Sequence, residues 1–141
     1  MKKTEKSASS LKILFADDEE SLQELMSLEL PRMGHEVTVC PDGLTAEAAL
    51  QLNTYDCLLV DLDMPGLSGI EVIERASRLS PEAESIVLTG KASQETAVAA
   101  LRLGAFDYLT KPCKLAELKK LLKRVIEKRE MNNKYRALEH Q

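Results

Sequence analysis

The 141-residue chain is poor in the residues that build cross-links and metal cages. Its three cysteines, Cys40, Cys57 and Cys113, form no C-x-x-C pair, are odd in number and sit in apolar contexts. That pattern excludes a disulfide framework and predicts reduced packing thiols in a cytoplasmic protein. Its two histidines, His35 and His140, lie far apart with no Cys or His at ligand spacing, which excludes a zinc site. Apolar runs reach only about five residues, and the leading MKKTEKSASS is polar with no hydrophobic stretch behind it. Neither a membrane span nor a secretory signal is present in this sequence. Tryptophan is absent and aromatics make up only 4%.

What remains is the composition of one ordinary soluble domain, 44% apolar and 30% charged. A chain of this size can bury roughly two thirds of its unfolded surface, so any metal would serve function and not folding. The net charge of −4 is unevenly spread. Residues 1–110 carry 19 acids and 9 bases, a balance of −10, whereas 111–141 carry 4 acids and 10 bases, a balance of +6.

Residues 1–10 are Lys/Ser-rich and aperiodic, a leader expected to be disordered. Beyond them short apolar runs alternate with helical patterns. Strands are expected at Leu11–Ala16, Glu36–Cys40, Asp56–Val60, Glu84–Leu88 and Phe106–Leu109; helices at 19–32, 43–52, 69–78, 94–103 and from 114 onward. Asp42 is placed to cap the second helix, and Ser68 with Glu71 forms an S-x-x-E capping box for the third. Gly34 and Gly104 fall just past helix ends. Each crossover is too long for a hairpin, so the expected fold is α/β: a five-stranded, doubly wound parallel sheet with five helices.

In such a sheet, ligands bind beyond the carboxyl ends of the strands. The first strand ends in Asp17, Asp18 and Glu19, the third in Asp61-Leu62-Asp63-Met64-Pro65-Gly66, the fourth in Thr89 and Gly90, and the fifth is followed by Lys111 and Pro112. Clustered carboxylates resist simultaneous ionisation, and a hard divalent cation relieves them. Mg2+, an ammonium and a hydroxyl converging on one carboxylate suit phosphoryl transfer, with an Asp as nucleophile.

The set ADD at 16–18, DLDMPGLSG at 61–69, TG at 89–90 and AFDYLTKP at 105–112 resembles the receiver domain of bacterial two-component response regulators. The resemblance covers about residues 11–127. It implies the flavodoxin-like strand order 2-1-3-4-5. It also implies Asp61 as phosphoacceptor, Asp17, Asp18, Asp61 and the backbone carbonyl of Asp63 as Mg2+ ligands, Thr89 and Lys111 as phosphoryl-binding groups, and Thr89 and Tyr108 as switch residues. For Tyr108 an ordinary half-buried strand aromatic is the bland alternative. Asp63 and Lys91 are candidates for setting the lifetime of the phosphorylated state, or else two solvated loop charges. The partner implied is a sensor histidine kinase, with only self-phosphorylation and self-dephosphorylation and no turnover of a separate substrate.

A rival resemblance is to haloacid-dehalogenase-type Mg2+-dependent phosphatases using Asp61 as nucleophile, although their D-x-D stands on the opening strand. The basic C-terminal stretch leaves three options open: a solvated helix face with a tail, a nucleic-acid-binding helix, or a linker to an output domain outside this chain. Leu115, Leu118, Leu122 and Val125 keep helical spacing, but past about Glu127 the apolar positions shift to Met131, Tyr135 and Leu138. The domain is therefore expected to end near 127, with a separate helical linker or tail at 128–141. This segment is similar to receiver-to-ATPase junctions of sigma-54-type transcriptional activators, with Cys113 where a Phe is common. A homodimer is a further option; direct nucleic-acid contact by the receiver itself is not expected, nor is a membrane.

Overall fold

A computed structural model describes residues 9–90 and 94–139. Five strands alternate with five helices: β1 Lys12–Ala16, α1 Glu20–Arg32, β2 Glu36–Cys40, α2 Gly43–Leu52, β3 Cys57–Asp61, α3 Gly69–Leu79, β4 Glu84–Thr89, α4 Gln94–Arg102, β5 Asp107–Thr110 and α5 Leu115–Glu139. All pairings are parallel, in the order β2-β1-β3-β4-β5. No helix among the described residues is long and apolar enough to cross a membrane.

The two faces of the sheet are filled by alternate residues of the same strands. Ile13, Phe15, Leu59, Ile86 and Leu88 pack with Met26 and Leu30 of α1 and with Leu118, Leu122 and Val125 of α5. Leu14, Leu58, Val60 and Val87 face α2, α3 and α4 through Ala46, Leu50, Val72, Ala76 and Ala100. Burial on both faces explains why β3 reads as an unbroken apolar run. Cys57 and Cys40 lie within these cores, while Cys113 is only half-buried.

Local signals settle the helix ends. The Asp42 side chain accepts from Thr45 N at 2.7 Å, and the Ser68–Glu71 capping box forms with both bonds in place. Gly34 and Gly104 adopt positive φ of 97° and 78°, closing helices in a conformation that costs other residues a steric penalty.

Two expectations need correction. Strands β3, β4 and β5 each reach one residue further than their apolar runs, so Asp61 and Thr89 are the last residues of their strands and not the first of the loops. Hydrogen bonding through the ladder, with Asp61 level with Leu88 and Thr89 level with Thr110, extends the strands into polar residues that hydropathy cannot assign. Nor does a separate helix begin near Glu127. The apolar register changes there, but α5 continues unbroken to Glu139, because its residues are good helix formers whichever way they face.

Candidate functional site

The parallel sheet delivers the ends of β1 and β3, adjacent strands, to one edge. Asp17, fully buried, follows β1; Asp61, 4% exposed, ends β3. Oxygens of Asp17, Asp18 and Asp61 lie within 4.8 Å of one another. Lys111, just after β5, reaches back across the edge: its Nζ is 2.8 Å from Asp17 Oδ2, 3.2 Å from Asp61 Oδ2 and 2.8 Å from Glu19 Oε1. Thr89 is buried at the end of β4, and its carbonyl accepts from Lys111 N at 2.7 Å, tying those two site residues together through the backbone.

The remaining carboxylate oxygens are oriented by main-chain donors. Asp17 Oδ1 accepts from Glu19 N at 2.8 Å and Asp61 Oδ1 from Asp63 N at 3.0 Å. Gln23, one turn into α1, donates Nε2–H to the Asp17 carbonyl at 2.8 Å and so anchors the acidic turn to the helix. On the other side of Asp61 the β3–α3 loop turns through Gly66 at φ 74°, and Gly69 packs directly on the Asp61 carbonyl. A Cβ at Gly69 would overlap that carbonyl and Leu62 Cα, so the absence of a side chain there sets how closely α3 approaches the acceptor strand.

The electrostatics are strained toward negative charge. Four carboxylates, Asp17, Asp18, Glu19 and Asp61, surround one ammonium, a local balance of −3. Burial raises the Asp17 pKa above the usual carboxylate value, and the Asp61 charge adds to this, against the lowering effect of Lys111 and the Glu19 amide. Burial alone would lower the Lys111 pKa, but its contacts with Asp17, Glu19 and Asp61 outweigh that and hold it above the ordinary lysine range. Buried Asp17 Oδ2 has the ammonium near it but no aligned hydrogen bond. An under-satisfied, buried carboxylate oxygen beside two further acids fits a hard divalent cation such as Mg2+, which accepts carboxylate oxygens and retains waters.

The structure thus gathers Asp17, Asp18, Asp61 and Lys111, with Thr89 alongside. Tyr108 is not part of this cluster: it lies mid-β5, level with Val87, half-buried against the α2–α4 side of the core. The Asp63 side chain is exposed while its amide serves Asp61, and Lys91 lies outside the described residues. Glu19 was placed at this edge by the sequence as the third acid after β1, but not as the Lys111 partner it is, and Gln23 was marked by nothing in the sequence.

Residues 13–123 match the response regulator receiver domain family. The chain belongs to this family, whose members serve two-component signal transduction. Among curated proteins it is similar to the uncharacterized transcriptional regulatory protein YkoG of Bacillus subtilis, 37% identical over 106 residues, covering 75% of this chain and 46% of that protein. It is also similar to the regulatory protein AtoC of Escherichia coli, 34% identical over 127 residues, 90% of this chain but 28% of AtoC. The chain therefore spans less than half the length of these two relatives. Among solved structures, the Francisella response regulator 1452 receiver domain superposes with a TM-score of 0.77 at 29% identity, covering 84% of this chain and 98% of that one. The phosphatase resemblance finds no support in these comparisons.

Proposed function

We propose that this chain accepts a phosphoryl group on Asp61 from the histidine of a sensor kinase in a Mg2+-dependent reaction, and that the phosphorylated form switches an output in the cytoplasm. The observation that carries this is Lys111 Nζ at 3.2 Å from Asp61 Oδ2 beside the Asp17–Asp18 pair, a nucleophilic carboxylate with cationic support and an acidic metal cradle. An Asp61 carboxylate oxygen forms the new O–P bond as the P–N bond to the donor histidine breaks, and the leaving imidazole takes up a proton.

Asp17 and Asp18, with Asp61 and the Asp63 carbonyl, would hold Mg2+, which when bound neutralises charge developing on the transferred group. Lys111 holds Asp61 in position beforehand and, once the phosphoryl group is attached, supplies positive charge to its oxygens. Thr89 offers a hydroxyl at the end of the neighbouring strand. Its movement toward the phosphoryl group, with that of Tyr108 on the next strand, carries the switch. Asp63 and Lys91 set the lifetime of the phosphorylated state by shielding it from water; an unchanged dephosphorylation rate in Lys91→Ala refutes that role. Residues 11–127 form the receiver and 128–141 lead to an output domain, as the greater length of the curated relatives suggests.

The test is incubation with Mg2+ and a small acyl-phosphate donor, followed by intact mass. One phosphoryl group per chain is expected, failing to form when chelator is present from the start and absent from Asp61→Asn. No adduct, or one that persists in Asp61→Asn, refutes the assignment. Repeated turnover of a phosphomonoester would instead favour a phosphatase.

A further inference from the structure

An ammonium has three N–H donors and no acceptor, and that of Lys111 meets three carboxylates. Asp17 Oδ2 and Glu19 Oε1 lie 2.8 Å from its Nζ, and Asp61 Oδ2 lies 3.2 Å away. Two of these contacts are aligned hydrogen bonds, and the shorter of the two goes to Glu19, not to Asp61. The three partners are held very differently. The Asp17 and Asp61 side chains are buried, and each has its other oxygen fixed by a main-chain amide. The Glu19 side chain is 52% exposed.

Glu19 is also at an unusual post for a carboxylate that serves something else. It is the N-cap residue of α1, a position whose side chain ordinarily accepts from the first helix amides. Here it caps none of them. Its carboxylate instead reaches Lys111, 92 positions along the chain. Nor does it join the acidic cradle, whose mutually close oxygens belong to Asp17, Asp18 and Asp61.

We propose, on the footing of phosphoryl transfer to Asp61, that Glu19 is a latch on Lys111: it holds the ammonium in the unphosphorylated site and releases it for transfer. A count of donors requires the exchange. With three acceptors around three donors, Lys111 can meet a phosphoryl oxygen only by giving up a carboxylate. Releasing Asp17 or Asp61 would leave a buried charge unpaired, whereas Glu19 can trade the ammonium for water at little cost. The Lys111 main chain stays in place, since its N–H donates to the Thr89 carbonyl at 2.7 Å, so the side chain alone must turn. A contact made before transfer and lost during it stabilises the ground state alone and slows the reaction. Glu19 is in this sense a positioning residue that acts through Lys111.

The test is the rate of phosphoryl uptake by the full chain from a small acyl-phosphate donor in Mg2+. Glu19→Ala should accelerate uptake by about two- to fivefold, the scale of an exposed ion pair. Glu19→Asp keeps the charge but shortens the reach by one methylene, so it should accelerate nearly as much. In a Lys111→Met background, adding Glu19→Ala should change nothing. An acceleration that persists without Lys111 would mean that Glu19 only repels the anionic donor, and overturns the latch. So does a Glu19→Asp rate equal to the parent's, a result that needs no Lys111 variant to fold. Uptake by the parent with no acceleration in Glu19→Ala overturns the latch alone; no uptake by the parent overturns phosphoryl transfer to Asp61 and the latch with it.

Discussion

Replacing Lys111 by Met probes the site without touching a carboxylate, and the outcome can be worked from distances. In the parent, one ammonium stands 2.8 Å from buried Asp17 and 3.2 Å from buried Asp61. At an effective dielectric of about 20, these contacts are worth roughly 6 and 5 kcal/mol of gross attraction. Most of that offsets the cost of bringing the ammonium out of water. The net loss on removing one partner of a buried pair is typically about 3–5 kcal/mol. Lys111 keeps a 17% exposed side chain at an open sheet edge, which reduces the expected loss to about 2–3 kcal/mol. For a domain of this size that is roughly 6–12 °C in melting temperature with chelator present. Mg2+ should then reverse the order of effects. The variant retains all the acids and has lost the competing cation, so it should bind Mg2+ more tightly and gain more from it, each tenfold in affinity adding about 1.4 kcal/mol at saturating metal. Asp61→Asn in the same background should recover part of the loss by removing one member of the repelling pair, a coupling that a double-mutant cycle isolates. Thermal melts of the four proteins with chelator and with Mg2+ provide the measurement. Should Lys111→Met melt with the parent in chelator, or gain less than the parent from Mg2+, the charge argument is wrong.

Three further outcomes follow from features away from Lys111. Gly69→Ala ought to stabilise a helix start on propensity alone. The overlap with the Asp61 carbonyl should reverse that sign, giving about 1–3 kcal/mol of destabilisation by urea melt and slower phosphoryl uptake. His35 is buried with Nδ1 accepting from Leu11 N at 3.0 Å, and burial lowers its pKa, so the fold requires its neutral form. Its contribution is therefore complete above the unfolded value of about 6.5 and is lost as pH falls below that value, where the unfolded chain binds the proton first. His35→Ala should cost about 1–3 kcal/mol at pH 8 and flatten the decline in urea midpoint between pH 7 and pH 5; an equally steep decline would mean that other groups carry it. Leu58→Ala, at a fully buried position beneath the site, should cost about 2–5 kcal/mol.

The fold was legible because parallel strands covered on both faces leave apolar runs that nothing else in this chain imitates. The acidic site was legible for a related reason: in a doubly wound sheet, the residue after each run is carried to a common edge, so Asp17, Asp61, Thr89 and Lys111 could be brought together without coordinates. Polar ladder residues blurred the strand ends, since hydropathy stops at Val60 and Leu88 while hydrogen bonding continues to Asp61 and Thr89. Gln23 was invisible because its role depends on the path of α1 back past the Asp17 carbonyl, a relation between elements. The Glu127 error was of another kind. Apolar periodicity reports which side of a helix is covered, and when the cover ends the pattern changes although the backbone does not.

That continuity has a consequence for anything joined to the C-terminal end. Lys111, which touches Asp61, is separated from the first turn of α5 by only three residues, and the helix then runs 25 residues without a break. Its azimuth at Glu139 is therefore inherited from the sheet. Deleting or inserting one residue in the last turns of α5 would rotate a fused module by about 100° and move it about 1.5 Å, whereas a seven-residue insertion would nearly restore the heading at a greater distance. A ladder of such insertions in a fusion would distinguish a tether from a shaft: a tether is indifferent to heading, and a shaft responds with the period of the helix.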